Sequence, residues 1–292
     1  MKKQATKKIN QHSAWLYLLP SLLVIVIFNI YPLIKSFVLS FKSGTLFNSH
    51  FTGFENYNRL FHDPVFWSSI GHTALYTFTV VPIALIIALA IAWIIFDKVK
   101  HKSFFETIFF TPYVTSVIAI GIVFRYFFND SYGIINYIFK ILHLPTLGWL
   151  NDPNVNMLTL IIFGIWTSLA FNIIILLAGL RNINEEHYQI ADLFGASKRE
   201  IFFRITLPQL MPSITFLLTV NIINAFKVYN QVYALFGGKA GTANSASTAV
   251  FYIYDNFHIK GNPGLAMAAT VILFIIILIC TLIQQKLLKK AG

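Results

Sequence analysis

The sequence predicts an all-α, polytopic membrane protein with six transmembrane helices and both termini in the cytoplasm. Composition is the first reason. Of 292 residues, 57% are hydrophobic and 11% are charged, whereas a soluble domain carries about 25% charged residues. Mean hydropathy is +0.68. The second reason is length. The apolar runs are about 20 residues long, enough to cross the hydrocarbon core as helices that satisfy their own backbone. The third is charge placement. With the N-terminus inside, the inner segments hold 14 of the 22 Lys and Arg residues and the outer segments 5. That bias follows the positive-inside rule and sets the orientation. The net charge of +11 is therefore a topology signal, not the footprint of a nucleic-acid binder.

Taken in order, residues 1–13 form a cytoplasmic tail carrying Lys2, Lys3, Lys7 and Lys8. The first span, 15–41 within a segment 14–41, is longer than a crossing needs and contains Pro20 and Pro32, so it tilts or kinks. No small-residue cleavage site follows it, so it reads as an uncleaved span. An outer loop at 42–68 precedes the core, 69–290. The remaining spans are 69–96, 104–128, 157–180, 213–236 and 264–283. The second outer loop includes YGIINYIFKILHLP, a short apolar helix placed at the membrane interface. The third begins rich in Gly, Ser, Thr and Ala. Lys98, Lys100 and Lys102 mark the inner end of the second span. Lys35, Arg125 and Glu106 sit at span ends as interface anchors. Cys280 is the one cysteine, so no disulfide forms within the chain and a buried apolar role fits it. No His, Cys or carboxylate cluster has metal-ligand spacing.

The inner loop at 184–208 carries helix punctuation. Asn184 caps a helix opening with Glu185 and Glu186, acids favourable at an N-terminus. Gly195 terminates it. Ser197 and Glu200 then form a capping box that opens a second short helix, and Pro208 and Pro212 mark the passage into the fifth span. Helix, glycine turn, helix is the shape of a docking element or of an amphipathic hairpin on the membrane surface.

This segment resembles the permease subunits of ATP-binding-cassette (ABC) importers, and within them the maltose-type carbohydrate permeases. Their signature loop runs E-A-A-x-x-x-G-A, then a helix and an I-x-L-P ending. Gln189, Ile190 and Ala191 stand at the first three positions, Gly195 and Ala196 match the G-A, and 205–208 read ITLP. Gln189 replaces the acid, Ile190 the first alanine, and Phe194 the usual aspartate before the glycine. GFENYNRLFHDPVFW, FFTPYVTSVIAIGIVFRYFFNDSYGIINYIF, LLAGLRNINEEHYQIA and FKVYNQVYALFGG resemble further family segments in the family's order.

The resemblance implies the type I importer permease fold and a location as a multi-pass protein of the cell membrane. It implies a second permease subunit as a heterodimer partner, two cytoplasmic ATPases and an extracytoplasmic solute-binding protein. Glu186, Gln189, Ala191, Gly195 and Ala196 then belong to an ATPase-coupling loop. No G-x-x-x-x-G-K-[ST] loop is present, so the chain is expected to be no enzyme and to hold no cofactor; ATP and Mg2+ are used by the partner ATPases.

A polar stripe within a span faces a cavity or a partner helix. Asn221, Asn224, Val228 and Gln231 recur on one helical face of the fifth span, with Lys227 at its edge. In the fourth span Gly164, Thr167, Ser168 and Phe171 share a face, near Trp166 and Asn172. Gly164 leaves room for a ligand or for a close helix crossing. By the resemblance these faces line a sugar path, amides serving hydroxyls; as helix packing they would serve equally as interhelical glue. Lys227 also admits an anionic solute such as a glycerol phosphate, and a polyol fits the same amides. A self-contained secondary transporter or channel is the competing class. It favours internal repeats or a carboxylate at mid-membrane, and Glu106 is the sole acid inside a span.

Overall fold

The computed structural model describes residues 11–46, 48–98 and 102–291. Lys2, Lys3, Lys7, Lys8 and Lys100 lie outside the described residues, as do the side chains of Lys98, Lys102, Glu106, Lys289 and Lys290. Among the described residues the architecture is helical apart from one two-stranded hairpin. Among the described residues five helices are long and apolar enough to cross a membrane: Tyr17–Leu39, Pro64–Asp97, Pro153–Arg181, Lys198–Phe226 and Pro263–Leu288.

The chain divides into two units, 1–62 with 256–271, and 63–255 with 272–292. In the first, α1 (Gln11–Ile25) continues through a wide five-residue turn (Val26–Ile30) into α2 (Tyr31–Leu39). The wide turn stands just before Pro32, whose ring would clash with the carbonyl of residue 28 in a regular helix. This is where the first span yields to its proline. The most apolar stretch of this helix is wholly exposed in the chain, so lipid or another chain covers it. The outer loop is structured: β1 (Lys42–Gly44) pairs antiparallel with β2 (Ser49–Phe51), and α3 (Glu55–Phe61) follows. Asn56 is buried there, its Nδ2 donating to the carbonyls of Ser40 and Lys42 at 3.0 and 2.8 Å.

In the second unit α4 (Pro64–Lys98) packs along α8 (Pro153–Arg181). Ala84, Ala88 and Ala92 are fully buried at every fourth position of α4, a strip of small residues that lets two helices approach. The third expected span is not one helix. It is α5 (Lys102–Val114) and α6 (Val117–Phe127), broken at Thr115 and Ser116, where Ser116 is extended at φ −57°, ψ 126°. Next, α7 (Ile134–Ile141) buries Asn136 and exposes Ile134, Tyr137, Ile138 and Ile141, an apolar stripe turned outward.

The inner loop forms α9 (Glu185–Leu193) and α10 (Lys198–Ile201). The second short helix read from the sequence is α10, opened by the expected Ser197–Glu200 capping box. From α10 the chain passes through a wide turn at Phe202–Thr206 directly into α11 (Leu207–Phe226). Pro208 follows that turn as Pro32 follows the first, and Thr206 Oγ1 donates to the Ile201 carbonyl five residues back, at 3.3 Å. The fifth span is also broken. Helix α11 stops at Phe226, and α12 (Asn230–Leu235) resumes after three non-helical residues. Then α13 (Ala249–Tyr254) precedes α14 (Pro263–Ala291).

Candidate functional site

Two places carry the residues singled out in the sequence. The first is the inner loop. The Asn184 side chain accepts from the Glu186 amide at 3.1 Å, closing the N-terminus of α9. At the other end the Ala196 amide bonds the Ala191 carbonyl and the Gly195 amide the Asp192 carbonyl, each at 3.0 Å, with Gly195 at φ +71°. That pairing is the Schellman stop, and it needs a residue comfortable in the left-handed region. The Glu200 carboxylate accepts from the Ser197 amide at 3.0 Å while the Glu200 amide donates to Ser197 Oγ at 3.3 Å. The same carboxylate also accepts from Ser197 Oγ at 2.9 Å, and the two bonds it accepts from the Ser197 amide and hydroxyl hold it below its ordinary pKa.

This loop is seated on the C-terminal end of α4. The Lys198 ammonium lies 2.7 Å from both oxygens of Asp97. Trp93 meets Phe202 edge-on at 5.2 Å, and Phe96 meets Tyr188 at 5.9 Å. Burial raises the Tyr188 phenol, an effect partly offset by its 3.2 Å bond with Thr206. Of the expected coupling residues, Glu186, Gln189 and Gly195 are exposed, Ala196 is half-buried and Ala191 is buried. Leu193 and Phe194 are 86% and 88% exposed, an apolar tip in water beside the glycine.

The second place is an open cavity of about 640 Å³ between the helix breaks. From the fourth span come Thr167, Ser168, Phe171 and Trp166; from the fifth come Asn221, Asn224, Lys227 and Gln231. Val228 does not join them. It is 2% exposed in the core, and its carbonyl accepts from Thr248 Oγ1 at 2.7 Å. The expected single stripe fails there because the helix ends at Phe226, so the periodicity that placed Val228 beside Asn224 stops applying. Gln231 reaches the cavity from α12 instead. Gly164 is likewise a packing residue: a Cβ there would collide with the ring of Tyr76 from α4.

Sequence periodicity missed Tyr113, Thr115, Tyr229 and Asn230, which also line the cavity. They flank the two breaks; Pro112 stands three residues before the first, and no proline or glycine occupies 226–231 to announce the second. Irregular backbone at membrane depth is tolerated where it lines a cavity, and both breaks border this one. The Tyr113 and Phe171 rings stack at 5.6 Å and 20°. The hydroxyls of Thr167 and Ser168 both donate to the Gly164 carbonyl, at 3.0 and 2.8 Å, and so offer acceptor lone pairs. Among the described residues Lys227 is the one charged residue in the lining. A smaller chamber of about 50 Å³, lined by Tyr76, Ser168, Asn221, Asn224 and Gln231 among others, adjoins it. It is polar and large enough for water. Aromatic faces on one side and amides on the other suit a ligand with apolar faces and many hydroxyls.

Comparison with known proteins gives a consistent set. The family described as binding-protein-dependent transport system inner membrane component matches residues 81–291. The lactose transport system permease LacF of Rhizobium radiobacter is 31% identical over 96% of this chain and 94% of its own. The trehalose/maltose permease MalF of Thermococcus litoralis is 30% identical over 98% of both. The arabinooligosaccharide permease AraP of Bacillus subtilis is 31% identical over 94% of this chain and 87% of its own. Among solved structures, a chain of a bacterial ABC transporter that imports the acidic polysaccharide alginate superposes with TM-score 0.83 at 22% identity, covering 96% of each chain. At that identity the likeness concerns the fold.

Proposed function

The chain belongs to the binding-protein-dependent transport system inner membrane component family, and from that premise we propose that it is the permease subunit that carries a saccharide across the membrane in an ABC importer. The cavity carries this reading. It presents a stacked aromatic pair and four amides, Asn221, Asn224, Asn230 and Gln231, to one space between broken helices. Relatives named for lactose, trehalose, maltose and arabinooligosaccharides support the substrate class. A solved relative carrying an alginate-bound periplasmic protein supports delivery by a soluble binding protein.

In this reading a second permease completes the path and two ATPases supply the energy, using ATP and Mg2+. The chain hydrolyses nothing and binds no cofactor. The inner loop, with Gly195 at its turn, is the contact through which the ATPases move the spans; its seating on Asp97 passes that motion to α4. Both termini lie in the cytoplasm, and α5 with α6 together make the third of six crossings.

Lys227 favours a second reading, a glycerol phosphate, because among the described residues it is the sole charge in the cavity lining. One experiment tests both. The chain is reconstituted in liposomes with its second permease and ATPases, with loaded binding protein outside. ATP-dependent uptake of a neutral disaccharide supports the first reading, and uptake of glycerol 3-phosphate in preference to it supports the second. Gradient-driven uptake by the chain alone would sink both in favour of a secondary transporter.

A further inference from the structure

We infer that Asn172 is a positioning residue: it holds the Asn221 amide in the orientation that the transported saccharide meets. The inference rests on the saccharide reading above.

Asn172 lies inside α8 and is fully buried. Its Oδ1 accepts from Asn221 Nδ2 at 2.7 Å, while its own Nδ2 is buried with no partner among the described residues. A half-satisfied amide in a span is costly. Packing alone does not require it. The same two helices already meet closely where Gly179 faces Ser213 and Leu210. The cost therefore has another return.

That return lies on the partner. Asn221 borders both the large cavity and the small chamber. An asparagine amide turns broadly about its last torsion, and an amide fixed before binding loses less freedom when the ligand arrives. The bond from Asn172 consumes one N–H of Asn221 and fixes the amide plane, leaving Oδ1 and the second N–H for the cavity. Asn224 gives the contrast within the same helix. It lines the same cavity, is exposed, and has no such bond among the described residues. The pocket thus pairs one held amide with one adaptable amide.

The test uses the complete importer in proteoliposomes, with radiolabelled lactose, maltose, trehalose and arabinobiose offered through the binding protein. Asn172→Leu is expected to raise the KM of the transported saccharide about tenfold, the scale of one buried hydrogen bond, with maximal rate and melting temperature unchanged. Asn172→Asp, which keeps the acceptor, is expected to return KM toward the wild-type value. Should the leucine variant not assemble, Asn172→Ser against Asn172→Asp decides by the same KM comparison. A fall in melting temperature or rate with KM unchanged overturns the positioning role and leaves the importer reading standing. A wild-type importer that takes up none of the four saccharides overturns both.

Discussion

The ammonium of Lys198 sits 2.7 Å from each carboxylate oxygen of Asp97, a residue 101 positions earlier. The bond joins the first turn of α10 to the C-terminal end of α4. Lys198 is 72% exposed and Asp97 20%, so water screens the pair. A double-mutant cycle of Asp97→Asn and Lys198→Met is expected to give a coupling of about 0.5 kcal/mol, shrinking with salt. A coupling above about 2 kcal/mol would show the pair to be a fold determinant. The expected small value leaves it the task of orientation.

Gly195 makes a sharper demand. Its φ of +71° belongs to the left-handed region, and a Cβ there would meet nothing within 4 Å. A substitution is therefore penalised by backbone strain, of order 1–2 kcal/mol, and not by crowding. Gly195→Val is expected to break the stop between α9 and α10, while Gly195→Asn, which tolerates this conformation, keeps it. Gly195→Asp is expected to leave the protein inserted and to uncouple uptake from ATP hydrolysis. Equal ATPase association for the wild type and all three variants would remove the loop from the coupling path.

The capping box carries a pH dependence. The Glu200 carboxyl has its folded pKa lowered by its bonds to the Ser197 amide and hydroxyl. A lowered folded pKa means that the box contributes above the ordinary carboxylate range and fades as pH falls through the folded value. Amide-exchange protection at 198–201 should decline on that acid limb. Glu200→Gln, still an acceptor, should show no such limb. An identical acid limb in the variant would assign it to another group.

These features differ in how far the sequence disclosed them. The caps at Asn184 and Ser197 and the turn at Gly195 were legible because each rests on bonds within six residues of chain. The faces carrying Ser168 and Asn224 were legible because helical periodicity holds up to Phe226. Val228 was misplaced because that periodicity was carried past the end of α11. Tyr113 and Tyr229 were missed because the sequence reading ran the third and fifth spans as continuous helices, whereas the chain breaks at 115–116 and 227–229. Asn172 was visible only as a polar residue near the right face. Its bond to Asn221 spans 49 positions and needs α8 and α11 placed side by side.

The contact of Gly164 with Tyr76 yields the last prediction. A Cβ on Gly164 would come within 2.7 Å of ring carbons of Tyr76, and Tyr76 is 3% exposed in the core, with little room to withdraw. Gly164→Ala is therefore expected to overpack the α4–α8 crossing and cost about 1–3 kcal/mol. Tyr76→Leu alone opens a cavity and costs a comparable amount. Together the two changes fill one another's fault, so the double variant should be more stable than the sum of the single losses predicts. Thermal melting of the three variants in detergent measures it. Additive losses would mean that the helices shift apart to admit the methyl group, and the crossing would then be a soft contact. Since Tyr76 also borders the small chamber beside Asn221, a rigid crossing makes Gly164→Ala lower transport as well as stability. A soft crossing leaves transport intact.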